Sequence, residues 1–182
     1  MNKFDEFILS SDIILIENWQ IIKVQGLDRV SFLNGQLTTD ILKSEFGLAR
    51  MSSRVTLGGR LQFLCFVLKR ESDILIIIDS LELNNFISEM NKFIVSEDVT
   101  FKVLNVHLHL LKGPSVLNYC SNPIIQNLNH CLIEFCLIPS LLIWNEIKIS
   151  QKDLKDLYDT SNSLVSFETR KFEYYEPVYY SL

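Results

Sequence analysis

The sequence predicts an α+β protein, and three features carry that expectation. Apolar runs of strand length recur along the chain, and one strongly periodic helical stretch, Leu81 to Phe93, lies among them. Hydrophobic residues make up 48% of the 182, enough to bury a proper core. Glycine and proline are scarce, six and four, so each one reads as punctuation.

Taken in order, Asp12 to Val24 holds two apolar runs, Ile13 to Ile16 and Ile21 to Val24, around Glu17-Asn18-Trp19. They predict a strand pair or one bent strand, ended by Gly26. Leu27 to Asn34 reads as a short helix. Asp28 would cap its free N–H groups, Val30 and Leu33 would face inward, and Gly35 would take the left-handed position after its end. A second short helix is expected from Thr38-Thr39-Asp40 to Gly47. Gly58-Gly59 marks a hairpin-type turn, followed by strands Leu61 to Leu68 and Ile74 to Asp79 across a polar turn.

Leu81, Leu83, Phe86, Ile87, Met90 and Phe93 then recur at three- and four-residue spacing, which predicts an amphipathic helix packed on those strands. Val99 to Leu111 alternates and reads as one long or bulged strand. Gly113-Pro114 closes it, with Pro114 opening a helix through Tyr119. This β-β-α-β order implies a sheet with helices on one face. Strands near Cys131 to Ile138 and Leu141 to Ile149 follow. A helix over Lys152 to Tyr158, capped by Ser150, and an extended aromatic stretch, Phe167 to Tyr180, complete the chain.

The net charge of −5, with 17 basic residues scattered among 22 acids, argues against a nucleic-acid binder, which needs a concentrated basic surface. Lys69-Arg70 is followed at once by Glu71 and reads as a solvated strand end. No membrane span is expected: Ile74 to Ile78 is too short, and Glu134 and Pro139 interrupt Leu132 to Ile143. The acidic N-terminus, Asp5-Glu6, does not resemble a secretory signal. Cys65, Cys120, Cys131 and Cys136 have no CxxC spacing and read as buried thiols, which makes the expected compartment cytoplasmic.

Few constellations suggest chemistry. His107-x-His109, with His130, Cys131 and Cys136, offers metal ligands, but nothing makes three or four converge, so no metal site is expected. No GxSxG turn surrounds a serine, and Gly58-Gly59-Arg60 falls short of any phosphate loop. Glu97-Asp98, Asp153 and Asp156 sit at element ends, where capping and solvation explain them. Trp19 and Phe167 suit the wall of a site for a flat heterocycle, although core packing explains each ring taken alone.

One string stands above this background: Trp19, then Gly26-Leu27-Asp28, then Phe32-Leu33-Asn34-Gly35-Gln36-Leu37-Thr38-Thr39-Asp40. It resembles the folate-binding family that joins the glycine-cleavage T-protein (aminomethyltransferase) to YgfZ. Leu57-Gly58-Gly59-Arg60-Leu61, Leu111-Lys112-Gly113-Pro114-Ser115 and Phe172-Glu173-Tyr174-Tyr175-Glu176-Pro177 resemble further segments of that family, in the same order.

The resemblance implies an outer α+β unit, residues 1–50 with 126–182, and an inserted ferredoxin-like central unit, residues 51–125, with the C-terminal barrel domain absent. It implies tetrahydrofolate or a derivative as ligand, bound between the units, with Trp19 and Phe167 at the positions of the two aromatic walls. The family's catalytic aspartate position falls at Gln62 and Phe63, neither of which carries a negative charge, so aminomethyl transfer is not expected. The expectation is therefore a YgfZ-like accessory protein with no catalytic residues, serving iron–sulfur protein clients in cluster maturation or repair. The alternatives are a ligand-free divergent member acting as a protein-interaction module through its aromatic tail, and an enzyme using one of the four cysteines.

Overall fold

A computed structural model describes residues 12–112, 116, 123–135, 138–147 and 149. Among these residues, nine strands form one mixed sheet in the order β1-β7-β9-β8-β3-β4-β5-β2-β6. They are β1 Asp12–Ile16, β2 Trp19–Gln25, β3 Leu48–Val55, β4 Leu61–Lys69, β5 Ile74–Asp79, β6 Thr100–Leu104, β7 His107–Lys112, β8 Asn129–Phe135 and β9 Ile138–Asn145. Helices α1 Arg29–Gln36, α2 Leu83–Asn91 and α3 Pro123–Gln126 accompany them. All pairings are antiparallel except β3 with β8, which meet through two parallel residue pairs only, Leu48 with Leu132 and Ala49 with Ile133.

That narrow seam lets the sheet fold on itself. Ile21, Leu68, Leu75 and Ile77 from one half share a cluster with Leu108, Leu110, Leu142 and Trp144 from the other. On the far side of the first half, Ile22, Val24, Phe63 and Ile76 pack against Phe32 and Leu33 of α1 and Phe86 and Met90 of α2. Strand β5 is apolar throughout because both its faces are covered, and Ile74 to Ile78 are all buried. In α2 the middle of the periodic set points inward as expected: Phe86 and Met90 are fully buried, with Leu83 and Ile87 packed beside them, and Phe86 lies 4.9 Å from Phe63 and 6.1 Å from Phe101 between ring centroids, whereas Leu81 and Phe93 fall outside the helix and are exposed.

The α+β class, the Gly58-Gly59 hairpin and the helix on the β4–β5 strands agree with the sequence expectations. Several local expectations do not. The two runs between Asp12 and Val24 are separate strands that never pair: β1 joins β7, whereas β2 lies between β5 and β6. Val99 to Leu111 is not one strand. It breaks at Asn105-Val106, so that β6 edges one half and β7 lies in the other. Residues 38–47 form bends and turns rather than a helix. Gly35 sits inside α1 with an ordinary backbone, and the left-handed conformation falls instead at Gly26, Gly47 and Gly59. Strand β3 was not anticipated. The helices expected through Tyr119 and over Lys152 to Tyr158, and the aromatic stretch Phe167 to Tyr180, lie outside the described residues, although Val116 is helical and buried.

The β4–β5 turn also differs from a solvated strand end. Asp73 is 1% exposed, and Arg70 grips its carboxylate with Nε at 2.6 Å and Nη2 at 2.7 Å, while Lys23 Nζ stands at 3.2 Å. Burial pushes the Asp73 carboxyl up, but the hydrogen bonds and charges of Arg70 and Lys23 outweigh it and hold the group below its ordinary 3.8. A carboxyl depressed in the folded state stabilises above its unfolded value and loses that contribution as pH falls through the folded one. Asp73→Asn should therefore cost about 1–2 kcal/mol at neutral pH. In urea titrations, the gap to wild type should close below pH 4. A gap that persists unchanged in acid would contradict this account.

Candidate functional site

Trp19 opens β2 and pairs directly across the ladder with Asp79, the last residue of β5. Alternation then sets Ile77, Phe66, Leu64 and Met51 on the same face as Trp19. Together these side chains line a hollow of about 220 Å³, and Trp19, Phe66 and Ile77 belong as well to the cluster that the two halves of the sheet share. The Trp19 and Phe66 rings stand 5.6 Å apart at 41°, forming an aromatic wall. The mouth is apolar as well: Met51 is 67% exposed and Leu64 52%. The Asp79 Oδ1 atom accepts a hydrogen bond from the Leu81 N–H at 2.8 Å, which fixes the carboxylate at the strand end.

The other residues of the sequence string do different work. Gly26-Leu27-Asp28 grips the loop before β6: the Leu27 N–H donates to Asp98 Oδ2 at 2.9 Å, and the Asp98 N–H donates to Asp28 Oδ2 at 2.8 Å. Asn34 Oδ1 accepts from the Ile41 N–H at 2.8 Å. Thr38 Oγ1 accepts from the Ser53 N–H at 3.0 Å, and the Thr39 hydroxyl donates to the Met51 carbonyl at 3.0 Å. Gln36 Oε1 accepts from Arg54 at 2.7 Å. Asp40 accepts from the Lys43 N–H at 3.2 Å. The Thr38, Thr39 and Gln36 bonds sew α1 and the connection after it onto β3. Of the whole string, only Trp19 lines the hollow.

Gln62, at the position expected for a catalytic carboxylate, accepts from Arg54 Nε at 2.8 Å, and Phe63 is buried in the helix-side core. Cys65 and Cys131 are buried, and burial pushes each thiol up to about 12, so neither supplies a thiolate at neutral pH. Cys120 and Cys136 lie outside the described residues. Among the described residues no group of three or more His, Cys, Asp or Glu side chains is placed to hold a metal ion. His107 is exposed and His109 buried, on a strand whose remaining residues are leucines and Lys112. No described helix is long and apolar enough to cross a membrane.

No protein-family model matches the sequence, and no curated protein matches it. A solved structure, the glycine cleavage system aminomethyltransferase T from Bartonella henselae, superposes on 84% of this chain with a TM-score of 0.67 and 17% sequence identity. The fold is similar to that of the T-protein. The chain spans about half of that protein's length, 47%.

On this T-protein-like sheet, the sequence expectation for Trp19 can be followed and that for Phe167 cannot. Trp19 lines the hollow, whereas Phe167 lies outside the described residues. Met51, Leu64 and Asp79 were not anticipated as site residues. The alternation of Leu64 with Phe66 was visible in the sequence, but the approach of Asp79 to Trp19 depends on strand register, which no local pattern states.

Proposed function

We propose that this protein binds the ring system of a reduced folate in the hollow at Trp19, as an accessory protein and not as an aminomethyltransferase. One observation carries the reading: Trp19, the indole that opens the folate-family string, is the string residue that lines an apolar hollow of about 220 Å³. A flat ring stacked on an aromatic wall gains burial and offset-stacking energy without needing a charged partner. Gln62, neutral and tied to Arg54, supports a role without aminomethyl transfer. Phe167 as a second wall and service to iron–sulfur proteins belong to the same proposal and rest on the resemblance alone; a cytoplasmic location belongs to it as well and rests on the cysteine pattern.

The test uses the protein's two tryptophans, of which Trp144 is buried between the halves of the sheet. In a Trp144→Phe background, tetrahydrofolate should quench Trp19 fluorescence saturably, after correction for ligand absorbance. Trp19→Ala should abolish binding measured by calorimetry. Titration to high micromolar concentration with no saturable signal would remove the ligand from the reading. A second reading, a ligand-free interaction module, is favoured by the exposed apolar residues at the β3–β4 hairpin: Val55 at 46%, Leu57 at 111% and Leu61 at 58%. Saturable tetrahydrofolate binding by the full chain would count against this second reading.

A further inference from the structure

The β3–β4 hairpin ends in an apolar tip that neither the core nor the hollow uses. Its turn, Thr56 to Arg60, is closed by three bonds. The Thr56 N–H donates to the Arg60 carbonyl at 2.8 Å, and the Gly59 N–H to the Thr56 carbonyl at 2.9 Å. The Arg60 N–H donates to Thr56 Oγ1 at 3.1 Å. Backbone and Thr56 therefore hold the turn, while the Leu57 side chain projects from it fully exposed. Val55 and Leu61, paired across the ladder just behind it, are exposed as well. The three make a protruding apolar tip, held in shape before any partner arrives.

The charge of the hairpin is one-sided too. From Phe46 to Arg70 the sequence holds five basic residues and no acid, in a chain whose net charge is −5. Two of the five, Arg50 and Arg60, are exposed. Arg60 adjoins the tip, whereas Arg50 lies back along β3 and approaches Glu45 at 4.0 Å. Asp79 falls beside Leu64, so it stands roughly 10 Å of strand behind Leu61. At ordinary salt that distance screens most of its charge, and an approaching surface meets the Arg60 cation first.

We propose that the hairpin docks this protein, tip first, on an anionic lipid surface. Leu57, Val55 and Leu61 enter the boundary between headgroups and acyl chains, and Arg60 meets the lipid phosphates. A fluid surface needs no shaped pocket to receive a protruding leucine. A second copy joined tip to tip would instead set Arg60 against Arg60. The contact is peripheral and reversible, and it gives the hairpin a partner whether or not the hollow holds a folate.

Sedimentation of the full chain with sucrose-loaded vesicles tests this. Phosphatidylcholine alone is compared with phosphatidylcholine containing about 40% phosphatidylserine, at about 0.1 M salt. Binding should be about fivefold tighter on the anionic vesicles, and that advantage should shrink at about 0.5 M salt. Arg60→Gln should lose about the same factor, on the anionic vesicles only. Leu57→Ser should weaken binding about tenfold on both and leave Tm within about 1 °C of wild type. Wild-type protein that stays in the supernatant at about 2 mM anionic lipid overturns the proposal and leaves an acidic protein surface as the tip's partner. Equal binding to the two vesicles, or a Leu57→Ser protein that binds as wild type does, overturns it as well. A Tm lowered by about 5 °C or more in Leu57→Ser would show that the chain's own residues cover the tip. A wild-type dimer that this variant converts to a monomer would assign the tip to a second copy. Either result sinks the lipid contact without touching the folate reading, which titration of tetrahydrofolate decides separately.

Discussion

Gly26→Ala should unfold the protein at a markedly lower temperature, with a loss of roughly 4 kcal/mol, whereas Gly35→Ala, nine residues along the same string, should raise stability by about 0.5–1 kcal/mol. At Gly26 φ is +113°, a conformation that a side chain strains, and a Cβ would come within 1.9 Å of the Asp98 carbonyl oxygen. The obstacle is backbone and cannot swing aside. Moving it disrupts the Asp28 N–H to Asp98 carbonyl bond at 3.2 Å and the bonds from the Leu27 N–H to Asp98 Oδ2 and from the Asp98 N–H to Asp28 Oδ2. Strain of about 1–3 kcal/mol and three lost hydrogen bonds together make the estimate. Gly35 is helical, and no atom lies within 4 Å of a Cβ built there, so alanine adds helix propensity without a clash. For a domain of this size, Gly26→Ala should lower Tm by about 10–15 °C. Circular dichroism melts decide it, and a Gly26→Ala protein melting within 2 °C of wild type would falsify the account of the turn.

The contrast between those glycines explains how far the sequence could be read. The parts with strong local signals were legible. Ile74 to Ile78 is apolar enough to declare a doubly covered strand, and the spacing from Leu83 to Met90 declares a helix face. The parts that depend on distant partners were not. Thr38, Thr39 and Asp40 look like the start of a helix, but Thr38 and Thr39 find their partners on β3, at Ser53 and Met51. Strand β3 itself, Leu-Ala-Arg-Met-Ser-Ser-Arg-Val, has little β-branched character. Its polar groups are consumed by the connection laid across it: Ser52 Oγ accepts from the Thr39 N–H, and Arg54 reaches Gln36. Alternation continues on both sides of Asn105-Val106, so periodicity could not show that the chain there leaves one half of the sheet for the other.

The same distinction applies to the site. Trp19 stood out as an aromatic residue at the start of a strand. Its neighbours in the hollow come from β3, β4 and β5 and meet it only through register. The string that most resembles the folate family is mainly a fold determinant, because its polar members hold the α1–β3 connection and the loop before β6 in place. Such a string can persist wherever the fold persists, so a functional conclusion has to rest on the hollow rather than on the string.

Arg54→Met should cost about 3 kcal/mol, a large effect for a change that keeps an unbranched stem and adds no bulk. Arg54 is 7% exposed on the helix-facing side of β3. Its Nε donates to Gln62 and its Nη1 to Gln36, at 2.8 and 2.7 Å, and the Phe93 ring lies 4.4 Å from the guanidinium carbon. Two hydrogen bonds from a charged donor and a cation–π contact account for the magnitude. The charge is buried with neutral partners; Glu89, whose carboxyl is lowered first by its hydrogen bond to Lys92 and further by Gln62 and by the Arg54 charge, supplies the nearby negative field. Lysine is shorter and lacks the rigid planar fork that reaches both amide oxygens, so Arg54→Lys should recover less than half of the loss. Gln36→Leu and Gln62→Leu, introduced together with Arg54→Met, should cost less than the sum of the separate changes, because no acceptor is then left without its donor. Urea denaturation of this set gives the coupling directly. Strict additivity, or an Arg54→Met protein within 0.5 kcal/mol of wild type, would mean that the guanidinium does not organise Gln36 and Gln62.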